Sequence, residues 1–203
     1  MKKLSFLSLA FFGILFLQAL DVSAAEFICA CCAERGHYSI TTKKPDQYAL
    51  DELKKLKFSE PQLYTDAGYP ETIKGIAPLG NSFTASGSLT GNLWKFIFKD
   101  DTAKSGTLNL AKPVSMVEYM VDQTPLAGQS AGEPVLYKEW RFKYNVSGGN
   151  GFFQSGIAPK TEYFLVPQGK GNVCTSADQF ENWRLEVTGA KARYAFFGRV
   201  AAE

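Results

Sequence analysis

Apolar and polar residues alternate with a period of two over most of this chain, and that alternation predicts β-strands. At 93–99, Trp94, Phe96 and Phe98 fall on one side, and Lys95 and Lys99 on the other. At 137–144, Trp140, Phe142 and Tyr144 oppose Glu139, Arg141 and Lys143. Each pattern predicts a strand with one buried face, so Trp94, Phe96, Trp140 and Phe142 should be buried and Lys95, Glu139 and Arg141 exposed. Further strands are predicted at 38–42, 72–77, 83–89, 107–110, 114–121, 151–157, 161–166, 183–187 and 194–200. Gly80-Asn81, Gly91-Asn92 and Gly189-Ala190 punctuate them, and Gly148-Gly149-Asn150-Gly151 is a strong turn signal.

One segment follows a helical period instead. Over 46–57, Ala49, Leu50, Leu53 and Leu56 share a face, and Asp46 sits where an N-cap belongs. Lys54, Lys55 and Lys57 suit the negative end of the helix dipole. Residues 61–69 suggest a short helical turn before Pro70.

Strands in close succession, joined by glycine-rich turns without helices between them, predict a mostly β, antiparallel up-and-down meander. Nine or ten strands in one open sheet would curl, and closure into a barrel removes the edges. The expected architecture is therefore a barrel carrying one N-terminal amphipathic helix. A β-sandwich is the alternative.

The first residues place this domain. Lys2 and Lys3 precede an apolar run at 4–20, which Asp21 ends before Ser23-Ala24-Ala25. Basic, apolar and then small residues form an export signal, with residues 1–24 as the signal peptide and 25–203 as a single β-rich domain. The expected location is periplasmic or secreted, with no stable membrane span after cleavage. Loss of Lys2, Lys3 and Asp21 takes the net charge from +2 to +1. No block of like charge remains, which argues against nucleic acid as a partner.

Export gives meaning to the cysteines. Cys29, Cys31 and Cys32 cluster near the start, and Cys174 lies far away. In an oxidising compartment an even count predicts disulfides, one local to the cluster and one from the cluster to Cys174. Cys31 with Cys32 is disfavoured, because adjacent alpha carbons sit too close. Closing the long loop to Cys174 would stabilise by about 4–5 kcal/mol in the chain-entropy model. The competing reading is a copper or zinc thiolate site built from Cys29, Cys31, Cys32 and His37. The C-x-C-C spacing is not that of a standard zinc finger. A lipoprotein box at Ile28-Cys29 is a third reading, weakened by Asp21 and Glu26 between it and the apolar run.

Catalysis finds little footing. His37 is the sole histidine, and no Gly-x-Ser-x-Gly elbow accompanies it. The chain does not read as an enzyme, and nothing in it calls for a resident cofactor. Aromatic residues make up 14% of the sequence, enough to fill or line a barrel. The leading reading is binding of a small apolar or amphiphilic ligand among Trp94, Phe96, Trp140, Phe142 and Tyr163. Glu118, on a strand with Met116 and Met120, would be its polar anchor, and Gly75, Gly87 and Gly156 would widen the cavity. A purely structural or interaction role is the alternative.

Overall fold

The structure, a computed structural model, describes residues 37–64, 73–76, 82–123, 136–171 and 174–201. The signal segment, Cys29, Cys31, Cys32 and the Gly80-Asn81 turn lie outside these residues. In chain order the elements are β1 (Tyr38–Lys43), α1 (Gln47–Lys54), β2 (Lys57–Leu63), β3 (Phe83–Ser88) and β4 (Leu93–Asp100). There follow β5 (Ser105–Ala111), β6 (Met116–Asp122), β7 (Leu136–Gly151), β8 (Glu162–Lys170), β9 (Phe180–Thr188) and β10 (Arg193–Ala201). Every ladder is antiparallel, as the meander requires.

The strands run in the order β2-β10-β9-β8-β7-β5-β4-β3, an eight-stranded sheet nearly closed into a barrel. The remaining pair, β6 and β1, branches from β7. The branch exists because β7 is 16 residues long. Its second half pairs with β5, from Gly106↔Gly151 to Leu110↔Val146. Its first half pairs with β6, from Val117↔Arg141 to Asp122↔Leu136.

This corrects the turn expected at Gly148–Gly151, which is strand. Two of its glycines, Gly149 and Gly151, lie close against β5 and the loop beyond. A Cβ on Gly149 would come 3.1 Å from both Ile157 and the Thr107 carbonyl. Gly151, at φ 58°, ends the strand where a side chain would strike Ser105. The strand expected at 151–157 is instead a turn at Phe152-Phe153 leading into the 3-10 turn Gln154–Gly156.

Two other expectations change. The helical turn expected at 61–69 is, as far as Leu63, the strand β2. Pro61 is tolerated because β2 has a ladder only with β10, leaving its other edge free of backbone pairing among the described residues. Of the strand expected at 72–77, the described part is a single bridge between Lys74 and Arg193. The helix is as expected at its start, where Asp46 Oδ1 accepts from the Ala49 N–H at 2.8 Å. It stops at Lys54 because Leu56 turns inward and Lys57 begins β2.

At the seam, β2 and β3 lie side by side without a backbone ladder among the described residues. Side chains bridge it. The Phe58 ring of β2 lies over Gly87 of β3, edge-on to Phe96 at 5.0 Å and to Trp183 at 5.7 Å. A Cβ on Gly87 would sit 2.7 Å from Phe58 and 2.8 Å from Phe96. Gly87 therefore makes room for rings, and does not widen a cavity. Gly75 and Gly156 likewise pack backbone against backbone, within 3 Å of any Cβ added to either.

Two stability predictions follow from this packing. Gly87→Val should cost about 1–3 kcal/mol by overpacking, while Gly148→Ala, with open space around it, should be within about 0.5 kcal/mol of neutral. Trp140→Ala should cost about 3–5 kcal/mol, several times the loss for Glu139→Ala. Denaturant midpoints measure all four, and equal costs within either pair would refute the packing assignment.

Candidate functional site

The barrel interior is built from the aromatic residues of the alternating strands. Trp94, Phe96, Phe98, Phe142, Phe153, Tyr194 and Phe196 are all fully buried. Phe98 meets Phe196 at 4.6 Å and Phe153 at 5.3 Å, and Trp94 meets Phe142 edge-on at 5.2 Å. Such tilted and edge-on pairs gain beyond area burial. Of the expected ligand-lining residues, Trp94 and Phe142 touch, and Phe96 packs with Phe58 and Trp183. Trp140 lies against Phe180 at 5.0 Å. Tyr163 hydrogen-bonds through its hydroxyl to the Ala111 carbonyl at 2.8 Å, and burial pushes its phenol up from the ordinary value.

Among the described residues, two buried polar atoms inside this apolar volume have no partner. They are Trp94 Nε1 and the Tyr194 hydroxyl. Burial drives the Tyr194 phenol strongly up, so it is a neutral donor. An unmet buried donor costs about 1–3 kcal/mol, so each calls for an explanation. Trp94 begins β4, at the end of the barrel where α1 lies, and Tyr194 begins β10, at the opposite end. Tyr194 was missed by sequence reasoning, since nothing marks one buried tyrosine as unpaired.

Glu118 sits on β6 between Met116 and Met120, on the buried side, opposite Trp140 across the ladder. Its carboxylate is paired with Lys43 Nζ at 2.7 Å. Glu139 and Arg141 are half-buried, which corrects their expected exposure; Lys95 is exposed as expected. The branch causes this, because β6 lays Tyr119 beside them. Arg141 stacks on the Tyr119 ring at 4.4 Å and pairs with Glu139 at 2.5 Å, and Glu139 also accepts from the Tyr137 hydroxyl. His37 is exposed at the start of β1. The cysteines expected to join it in a metal site lie outside the described residues.

The α1 end of the barrel holds a polar cluster that the sequence reading passed over. Glu52, in α1, is 5% exposed; it accepts from the Ala177 N–H at 2.9 Å and pairs with Lys55. Lys138 of β7 is fully buried, donating to the Ser176 carbonyl and to Gln179, with its ammonium 5.2 Å from the Phe180 ring centre. Together they fasten α1 and β7 to the 174–179 loop. Cys174, in that loop, is buried with Met120 and Leu136. The signal for Lys138 was available: it alternates in phase with Leu136, Trp140 and Phe142.

Two open concavities flank α1 on the outside of the barrel. One, of about 580 Å³, is lined by Lys44, Leu50, Asn92, Lys112, Pro113 and Val114, among others. The other, of about 150 Å³, shares Leu50, Asn92 and Lys112 with it. Among the described residues, no group of three metal-ligating side chains occurs, and no helix is long and apolar enough to cross a membrane.

Glu52 generates a pH prediction. Burial opposes its ionisation, but the Ala177 N–H and the Lys55 and Lys138 charges outweigh that and hold its carboxyl below the ordinary 4.5. A carboxyl held low in the folded state stabilises above its ordinary value, and that contribution is lost as pH falls through the folded value. Glu52→Gln should therefore be less stable at pH 7, by about 1–3 kcal/mol, with the gap closing below about pH 4.5. Urea midpoints at pH 7, 5 and 3 measure it, and a gap that does not change with pH refutes the charge argument. Compared with known proteins, the chain matches no family model, no curated protein and no solved structure.

Proposed function

We propose that this chain is an exported binding protein that takes a small apolar or amphiphilic molecule at the α1 end of its barrel. The observation that carries this reading is Trp94. Its indole N–H is buried without a partner among apolar rings. A ligand presenting one hydrogen-bond acceptor and an otherwise apolar body satisfies that donor and matches its surroundings. Phe142, Trp140, Tyr163 and Glu118 stand around the same half of the barrel, with Phe96 deeper.

Export and disulfides belong to the same proposal. Their support is the order of residues in the leader and the burial of Cys174 beside Met120 and Leu136. One bond from Cys174 to the N-terminal cluster ties the segment preceding β1 to the loop that Glu52 and Lys138 already hold.

Two measurements test this. A fluorescent fatty-acid probe should bind with micromolar affinity and quench tryptophan emission, and Trp94→Phe should weaken binding about tenfold by removing one buried hydrogen bond. Absence of binding by any apolar probe overturns the binding role. Peptide mapping without reduction, on protein recovered from its native compartment, should show cleavage after Ala24 or Ala25 and two disulfides, one including Cys174. Four free thiols, or stoichiometric copper or zinc, would replace the disulfides with the thiolate site.

A further inference from the structure

We infer a second, independent binding site in the groove beside α1, suited to a small anionic amphiphile: a carboxylate, sulfate or phosphate head on a short apolar tail. The groove is formed where the chain leaves β1 and enters α1, and where it leaves β5 toward β6. These two connections place Lys44 and Lys112 in the lining of one cavity. The Asn92 carbonyl holds the Lys112 backbone in place at 3.0 Å.

Charge accounting leaves both lysines of this groove uncompensated. Lys43 pairs with Glu118, Lys54 with Asp51, Lys55 with Glu52 and Lys143 with Glu162. Lys44 and Lys112 make no ion pair with any described residue. The acids near α1 are already engaged: Asp46 caps the helix, Asp51 binds Lys54 and Gln47, and Glu118 holds Lys43. The groove thus carries two uncompensated positive charges.

Its remaining lining is apolar. Leu50, Pro45 and Pro113 share the lining with the lysines, and Val114 beside them is 68% exposed. A cavity of about 580 Å³ is within the range of small-molecule sites. Two ammonium groups beside apolar side chains match an anion with a hydrocarbon tail, since lysine stems cover apolar surface while their heads meet the charge. Neither a bare anion nor a neutral apolar molecule uses both features.

The experiment titrates the full mature protein with decanoate, decanol and inorganic phosphate by calorimetry. Decanoate should bind with a Kd on the order of 10–100 μM, at least tenfold tighter than decanol or phosphate, and more weakly as salt rises. The double variant Lys44→Gln/Lys112→Gln should lose at least tenfold in decanoate affinity while its thermal midpoint stays within a few degrees. Trp94→Phe, which weakens only the proposed interior site, should keep the lysine-dependent part of decanoate binding. Loss of decanoate binding in Trp94→Phe with retention in the lysine variant overturns the groove and leaves the interior site standing. Lysine-dependent binding of decanol or phosphate equal to that of decanoate overturns the amphiphile assignment. No decanoate binding by the parent protein overturns the site outright.

Discussion

The Phe58 ring over Gly87 is the contact on which closure of this barrel depends. All other neighbours in the eight-stranded ring are joined by antiparallel ladders, and β2 and β3 are not. A ladder would align the two strands through many small bonds; a ring lying on a glycine aligns them through shape. The contact works only because the next layer is also aromatic, with Phe96 and Trp183 edge-on to Phe58. Trp183 in turn donates through Nε1 to the Ser59 carbonyl, so the residue next to Phe58 is fixed as well. Pro61 shortens the run of β2 that could ever have paired, which makes side-chain closure the available solution.

The length of β7 is the second constraint, and it explains why two strands stand outside the ring. A strand of ordinary length serves one neighbour on each edge. Here one edge serves β5 and β6 in succession, while the other serves β8 from Tyr137 to Asn145. The portion beyond β5 would expose Lys138 and Trp140 unless something covered them. α1, β6 and the 174–179 loop gather there, and Glu52 and Lys138, both buried, each bond to that loop. Buried ions seldom add net stability over apolar replacements, but removing one partner alone is costly. Their role here is to fix which elements meet.

Period-two alternation made the strands legible, and with them the barrel and the buried faces of Trp94, Phe96, Trp140 and Phe142. What stayed hidden were features that depend on the partner and not on the segment itself. Lys57–Leu63 carries a proline and little alternation, so nothing local marks it as strand; β10 imposes that conformation. Gly148–Gly151 is turn-like in isolation, and becomes strand because the ladder with β5 runs through it, with Gly149 and Gly151 close against their neighbours. Glu139 and Arg141 read as solvated, and were covered in part by Tyr119 from a strand whose position no local pattern reveals. For the candidate site, the sequence named the rings and Glu118 but could not show that Glu118 is neutralised by Lys43, nor that the indole of Trp94 has no partner.

The distribution of polar groups constrains what any ligand could be. In the interior, Tyr163 and Trp183 each find a backbone carbonyl, which shows that the packing can satisfy a polar ring atom where geometry permits. Trp94 and Tyr194 are left as exceptions at opposite ends of the same core. A water could serve either only with two or more polar partners, and the ring contacts around Phe142 and Phe153 offer few. At the α1 end the orphan donor lies close to a surface where lysines outnumber free acids. At the other end Phe152, Phe153 and the bridge between Lys74 and Arg193 close the mouth. On the proposed reading, a molecule received at the α1 end must offer an acceptor, carry little polarity elsewhere and tolerate positive charge at its approach.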